Sequence, residues 1–253
     1  MERLNLRVPK PFDYSNIEED VPQRIRFYCV AEGATEESYF WGIKNNRSSL
    51  NIKNHVFIEI VPKEIGQETF SHPMQLVNAC LYAMGRIDAD GEPVQKKDWD
   101  RNCRWQDFDP DIDIACVIFD RDYKDLESCL DRIFTICGEN NIRVVISNPN
   151  FELWLLMHFP DILQYDRQML LENRKNLRHQ LFTDASVHKR YLEILVSKNS
   201  KGYIKGNRLK FERFWPMLDL ALEQAGLFCQ EPEKLRVELG TSVGRLIQDM
   251  RQF

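Results

Sequence analysis

Five carboxylates stand at, or just past, the ends of short apolar runs. Glu32 and Glu36 follow Arg24–Ala31, Asp120 and Asp122 follow Ile112–Phe119, and Glu152 comes shortly after Arg143–Ser147. Hard oxygen donors of this kind suit Mg²⁺ or Mn²⁺, which take few protein carboxylates and keep water or phosphate oxygens for the rest. Two such ions could hold both the attacking and the leaving oxygen of a phosphodiester. In Asp120-Arg121-Asp122 two like charges lie one residue apart, so both stay ionised only beside a cation or in water. Each feature also has a plainer reading. Glu36, with Glu37, could complement a helix dipole; Asp-x-Asp could close an Asx-type turn; Glu152 could pair with an arginine. Acids at the ends of three strands together favour the metal reading.

The elements that must position these groups follow from hydrophobic periodicity. Strands are expected over Arg24–Ala31, His55–Val61, Ile112–Asp120 and Arg143–Ser147. Helices are expected from Thr35, as N-cap, to about Lys44, from Pro73 to about Arg86, from Leu126 to about Asn140, and over Phe151–Phe159. Strands alternating with helices imply βαβ units and a mostly parallel sheet covered on both faces, so the strand-end acids should gather at one rim. The α/β domain is placed at 24–161, after an N-terminal arm over 1–23. A helical appendage, 162–253, follows, with helices near Arg167–Asn176, Val187–Val196, Arg208–Ala225 and Ser242–Arg251. Asp88–Asp111, acidic and Trp-rich with weak periodicity, reads as a long surface insertion that could serve as a lid or partner surface.

Composition narrows the function. The net charge of -5 argues against indiscriminate nucleic-acid or membrane binding. Bases nevertheless dominate from Arg167 to Arg213, a face that could be merely solvated or could track a nucleic-acid backbone. Within it, the glycine-flanked Gly202-Tyr203-Ile204-Lys205-Gly206 could bring Lys205 against a phosphate, where an ammonium would stabilise developing charge. His158, among Trp154, Leu155, Leu156 and Phe159, reads as a core histidine rather than a ligand. The seven cysteines include no Cys-x-x-Cys pair and read as free thiols in a reducing compartment. Without a signal peptide or an apolar run long enough to span a bilayer, the expected location is cytoplasmic. No P-loop, Gly-x-Gly-x-x-Gly or Gly-x-Ser-x-Gly motif supports nucleotide binding or a serine hydrolase.

Several motifs, in order, resemble the RloB-like family. They are Glu32-Gly33-x-Thr35-Glu36 with Tyr39-Phe40, Phe119-Asp120-Arg121-Asp122, Ser147-Asn148-Pro149-x-Phe151-Glu152-Leu153-Trp154, Gly202-Tyr203-x-Lys205 and Gly240-Thr241-Ser242-Val243. The Ser-Asn-Pro-x-Phe-Glu-Leu-Trp run is the most specific. The resemblance implies a Toprim-type fold and Mg²⁺- or Mn²⁺-dependent cleavage of DNA or RNA, tRNA included, in bacterial antiphage defence. It also implies a neighbour-encoded ATPase partner, and the fold admits a homodimer. By the same resemblance Glu32 is a metal ligand and proton shuttle, and Asp120 and Asp122 are paired metal ligands. Glu36 and Glu152 would complete a second metal position, with Glu152 and Lys205 also catalytic. Asn150 departs from the family pattern, where a small residue or cysteine is expected. The alternative is a non-catalytic Toprim scaffold that docks the ATPase.

Overall fold

Apolar residues fill Ile114–Asp120 between its two ends, and every residue between them is buried, as a strand covered on both faces requires. The computed structural model in which it sits describes residues 23–61, 72–122, 126–183, 188–202 and 205–253. All of the expected N-terminal arm except Gln23 lies outside these residues, as do Val187 and Tyr203. In chain order the elements are β1 (Ile25–Ala31), α1 (Ala34–Asn45), β2 (Val56–Ile60), α2 (Pro73–Ala83), α3 (Trp99–Asn102), β3 (Ile114–Asp120) and α4 (Glu127–Glu139). There follow β4 (Ile142–Asn148), α5 (Glu152–Leu156), α6 (Arg167–Glu172), α7 (Tyr191–Asn199), α8 (Leu218–Ala225), β5 (Gly240–Thr241) and α9 (Val243–Gln252).

The strands form one sheet in the order β2-β1-β3-β4-β5. The first four are parallel and β5 runs antiparallel to β4. This is the mostly parallel α/β sheet that the alternating pattern implies, and it fits the Toprim-like expectation. Side chains alternate across it. Phe27, Cys29, Ala31, Cys116 and Ile118 face one core, whereas Val30, Ala115, Val117 and Phe119 face the other, with residues of α2 and α4. Leu170, Leu192, Leu218 and Val243, from the helices after Asp161, belong to the first core. β5 fits beside the chain at Cys229 only because residue 240 is glycine; a Cβ there would collide with the Cys229 backbone. All seven cysteines are free.

Several expected helices are shorter or broken, each for a local reason. The segment from Arg208 to Ala225 gives two 3₁₀ turns, Phe211–Arg213 and Trp215–Met217, before α8; Pro216 supplies no N–H to a continuous helix. α6 stops at Asn173, which turns left-handed while its Oδ1 accepts the Leu192 N–H at 3.0 Å. Thr35 is not the N-cap of α1. Gly33 holds that position, and Thr35 lies one residue inside the helix.

The acidic insertion packs under the sheet and not over the acids. The Trp105 ring stacks on Tyr28 at 4.3 Å, and the Arg86 guanidinium lies 3.6 Å above Trp99. Asp113, buried ahead of β3, accepts the backbone N–H groups of Arg26 at 2.8 Å and Asp109 at 3.0 Å. Arg26 stands near the start of β1, about 20 Å from Glu32 at strand spacing, while Trp105 reaches the middle of β1 at Tyr28.

Losing the Asp113 carboxylate leaves two backbone N–H groups without their acceptor and leaves the Arg26 guanidinium to Asp107 alone. Asp113→Ala is expected to cost about 3 kcal/mol of stability in a urea titration. A loss below about 1 kcal/mol would mean that other contacts hold this rim.

Candidate active site

The site begins where the strand order reverses. From β1 the chain passes outward to β2 and then returns to the other side for β3, leaving a crevice at the carboxyl ends of β1 and β3; open parallel sheets bind ligands at such a point. Glu32 and Asp120 face each other across it. The Glu32 N–H continues the ladder to Ile118 O at 2.8 Å, and its carboxylate turns back to accept the Asp120 N–H at 2.9 Å. Asp120 Oδ1 in turn accepts the Phe151 N–H at 2.8 Å, which ties β3 to the turn after β4. The Asp122 N–H donates to Pro149 O in that turn at 3.1 Å. Asn148-Pro149 is a cis peptide, and the Asn148 amide donates to Leu235 O and Glu238 O at 2.9 and 3.0 Å. These bonds set Phe151 and the adjoining Glu152 beside Asp120.

Glu36 reaches the same place from the first turn of α1. Its carboxylate folds over Gly33, where a Cβ would stand 2.5 Å from Oε2. Glu36 is buried, and Glu152 has a side chain only 1% exposed. Lys205 spans the opening: its ammonium lies 3.1 Å from Glu152 Oε1 and 3.4 Å from Glu193 Oε1. Its loop is pinned by the Gly206 N–H, which donates to Thr35 Oγ1 at 2.8 Å. Arg190 pairs with Asp122, and its backbone N–H donates to Glu193 at 3.4 Å. The five expected acids and Lys205 therefore share one rim. Thr35, part of the Glu32-Gly33-x-Thr35-Glu36 motif, joins them, as do Arg190 and Glu193, unannounced by any motif; the acid three residues after Arg190, at the start of a helix, is the one local sign.

Crowded acids hold protons. Burial, and then the charges of Glu36, Glu32, Glu152 and Asp122, keep Asp120 well above the usual carboxylate range. Burial, with Glu152 and Glu32 adding to it against a backbone hydrogen bond, pushes Glu36 up to about 7. Burial also raises Asp122, although Arg190 and Lys205 pull the other way. Burial works against the charge on Lys205, but Glu152 and Glu193 outweigh it and keep the ammonium protonated above its ordinary range. His158 lies apart, wholly buried. Its Nδ1–H donates to Trp154 O at 3.0 Å, and its Nε2 accepts the Tyr39 hydroxyl at 3.0 Å. Burial lowers it to about 4, so it is a neutral core residue.

By chemistry this donor set fits a hard divalent cation: several carboxylates share a crevice, and their repulsion already draws in protons. The same turn holds a buried acceptor, Asn150 Oδ1, with no hydrogen-bond partner among the described residues. As they stand, however, the acids are turned to the Asp120 N–H, Lys205 and Arg190. Among the described residues no three Asp, Glu, His or Cys side chains are grouped closely enough to hold one ion. Coordination would require them to rotate inward.

A family model described as RloB-like protein matches residues 27–250. No curated protein and no solved structure matches the chain. Among the described residues no helix is long and apolar enough to cross a membrane.

Because the folded state keeps a proton on Glu36 that the unfolded chain releases near pH 4.3, stability falls as pH rises from there through about 7. In chelator, Glu36→Gln is expected to raise the melting temperature at pH 8 and leave it nearly unchanged at pH 4. Equal changes at both pH values would point to packing and not to charge.

Proposed function

The chain belongs to the RloB-like family, and from that premise we propose that it is a divalent-metal-dependent nuclease, cleaving DNA or RNA as an effector of antiphage defence. The single observation that carries this reading is the acid cluster at the β1–β3 crevice, where Glu32 and Asp120 meet by a 2.9 Å hydrogen bond and Glu36 and Glu152 are buried beside them. Such a concentration of negative charge weakens the fold that contains it, which suggests a purpose other than stability. When bound by Glu32, Asp120 and Asp122, with Glu36 and Glu152 beside them, Mg²⁺ or Mn²⁺ would supply charge neutralisation at a phosphate and a more acidic water.

The chain's own groups divide the remaining work. Lys205, 56% exposed but anchored on Glu152, can turn its ammonium toward a phosphate oxygen and stabilise charge that grows in the transition state. Arg190, part-exposed beside Asp122, can do the same for a non-bridging oxygen, its planar fork matching phosphate geometry. Glu36, buried beside Glu32 and Glu152, would add a carboxylate toward the cation. The bases Lys175, Arg178 and Lys201 are exposed and suit a polyanionic backbone.

One observation favours the second reading, a non-catalytic scaffold for a partner ATPase: Lys205 and Arg190 already neutralise Glu152 and Asp122. A single variant separates the two. Asp120→Asn keeps an acceptor for the Phe151 N–H while removing the charge. With Mg²⁺ or Mn²⁺ it is expected to lower cleavage of plasmid, single-stranded DNA or tRNA by at least about a thousandfold while leaving the melting temperature near that of the parent. If cleavage occurs in no condition, with or without the neighbour-encoded ATPase, or is indifferent to Asp120→Asn, the nuclease reading is wrong.

A further inference from the structure

We propose that an open groove on the outer side of α1 is a stacking subsite for an unpaired nucleobase, so that the chain takes single-stranded rather than duplex nucleic acid. This deepens the nuclease reading and rests on its assignment of nucleic acid as substrate. The groove, about 530 Å³, lies between α1 and the loop that follows Lys205. Its floor is aromatic, with Trp41, Phe211 and Trp215, and its edges carry Asn45, Asn207 and Glu212.

The sequence builds this groove through two close approaches. Ser38, Trp41 and Asn45 recur at three- and four-residue spacing, so they form one stripe of α1, turned away from the core face of Tyr39, Phe40 and Ile43. Gly42 lies in that stripe, and a Cβ there would collide with the Phe211 ring, so the glycine lets the loop rest directly on the helix. The Gly206 bond to Thr35 pins the loop's other end, at 2.8 Å. The groove is thus fixed before any ligand arrives. Trp41 is 46% exposed. It is braced by Lys44, whose ammonium lies 4.9 Å from the ring centroid and 2.8 Å from Glu59 Oε2. An indole held in place with much of its surface in water is the kind of platform on which bases stack.

Chemistry and position favour a base over an apolar peptide side chain. Amides and a carboxylate beside an aromatic floor match the donors and acceptors of a base edge. Arg208 and Lys210, exposed on the same loop, supply charge for the backbone. Trp41 is five residues beyond Glu36 on the same helix, about 7.5 Å along its axis. Those five residues also turn the helix by about 140°, which puts the indole on its outer side; the loop that carries Lys205 continues through Asn207, Phe211 and Glu212 in the groove wall, so one segment borders both the acid cluster and the groove. A base still paired in a duplex has no free face to offer it.

The test is binding of a labelled single-stranded ten-nucleotide DNA and its duplex, read by fluorescence anisotropy in EDTA with the full chain. The single strand is expected to bind more tightly than the duplex. Trp41→Ala should weaken the single strand by about tenfold, Trp41→Phe by much less, and neither should alter duplex binding or the melting temperature. Unchanged single-strand binding in both Trp41→Ala and Trp215→Ala overturns the proposal, as does an equal loss for single strand and duplex; either result leaves the groove to a protein partner. The two readings fail separately. Trp41-dependent binding without any cleavage retains the subsite and removes the nuclease, whereas cleavage with Trp41-independent binding does the reverse.

Discussion

The hydrogen bond from the Asp120 backbone to the Glu32 carboxylate is the contact on which this molecule turns. It joins residues 88 apart in sequence across the crevice between the central strands. It gives one carboxylate a donor at the place where it is nearest the next. Asp120 passes the arrangement on by accepting the Phe151 N–H, which seats Glu152. Glu32 and Asp120 are each held by a neighbour's backbone N–H, while Asp122 and Glu152 are held by Arg190 and Lys205, so the cluster survives its own repulsion. The two cations at its edge, Lys205 and Arg190, complete the balance from residues beyond the parallel strands.

Much of the core of this arrangement is legible in the chain. An apolar run such as Ile114–Phe119, closed by Asp120-Arg121-Asp122, says both that the strand is central and which end carries the chemistry. Ala31 followed by Glu32-Gly33 repeats the message, and parallel topology does the rest by bringing like ends together. The burial of Glu36 was less legible. In sequence it has the form of an ordinary first-turn acid, and only the packing of α1 reveals that it faces inward.

What could not be read depends on contacts with no local period. β5 is two residues long, too short for alternation to register, and its partner in β4 is 94 residues away. Arg190 meets Asp122 from 68 residues away. Asp113 falls within the expected strand, yet it lies before β3 and serves as an acceptor for the backbone of β1. The break at Pro216 was, by contrast, written in the residue itself: a proline inside a helical pattern cannot be bridged by periodicity.

The manner in which the sheet is finished bears on how the protein is made. Asn148 finds its acceptors at Leu235 and Glu238, and Ile146 exchanges hydrogen bonds with Ser242. On the ribosome, the strands that carry Glu32 and Asp120 emerge long before these residues do. The nascent chain must therefore hold an incomplete crevice, with the Asn148–Phe151 turn unsupported, until residues 235–242 have left the exit tunnel. Maturation of the acidic cluster is in this sense timed by translation, and a chain released early lacks the support on which the seating of Glu152 depends.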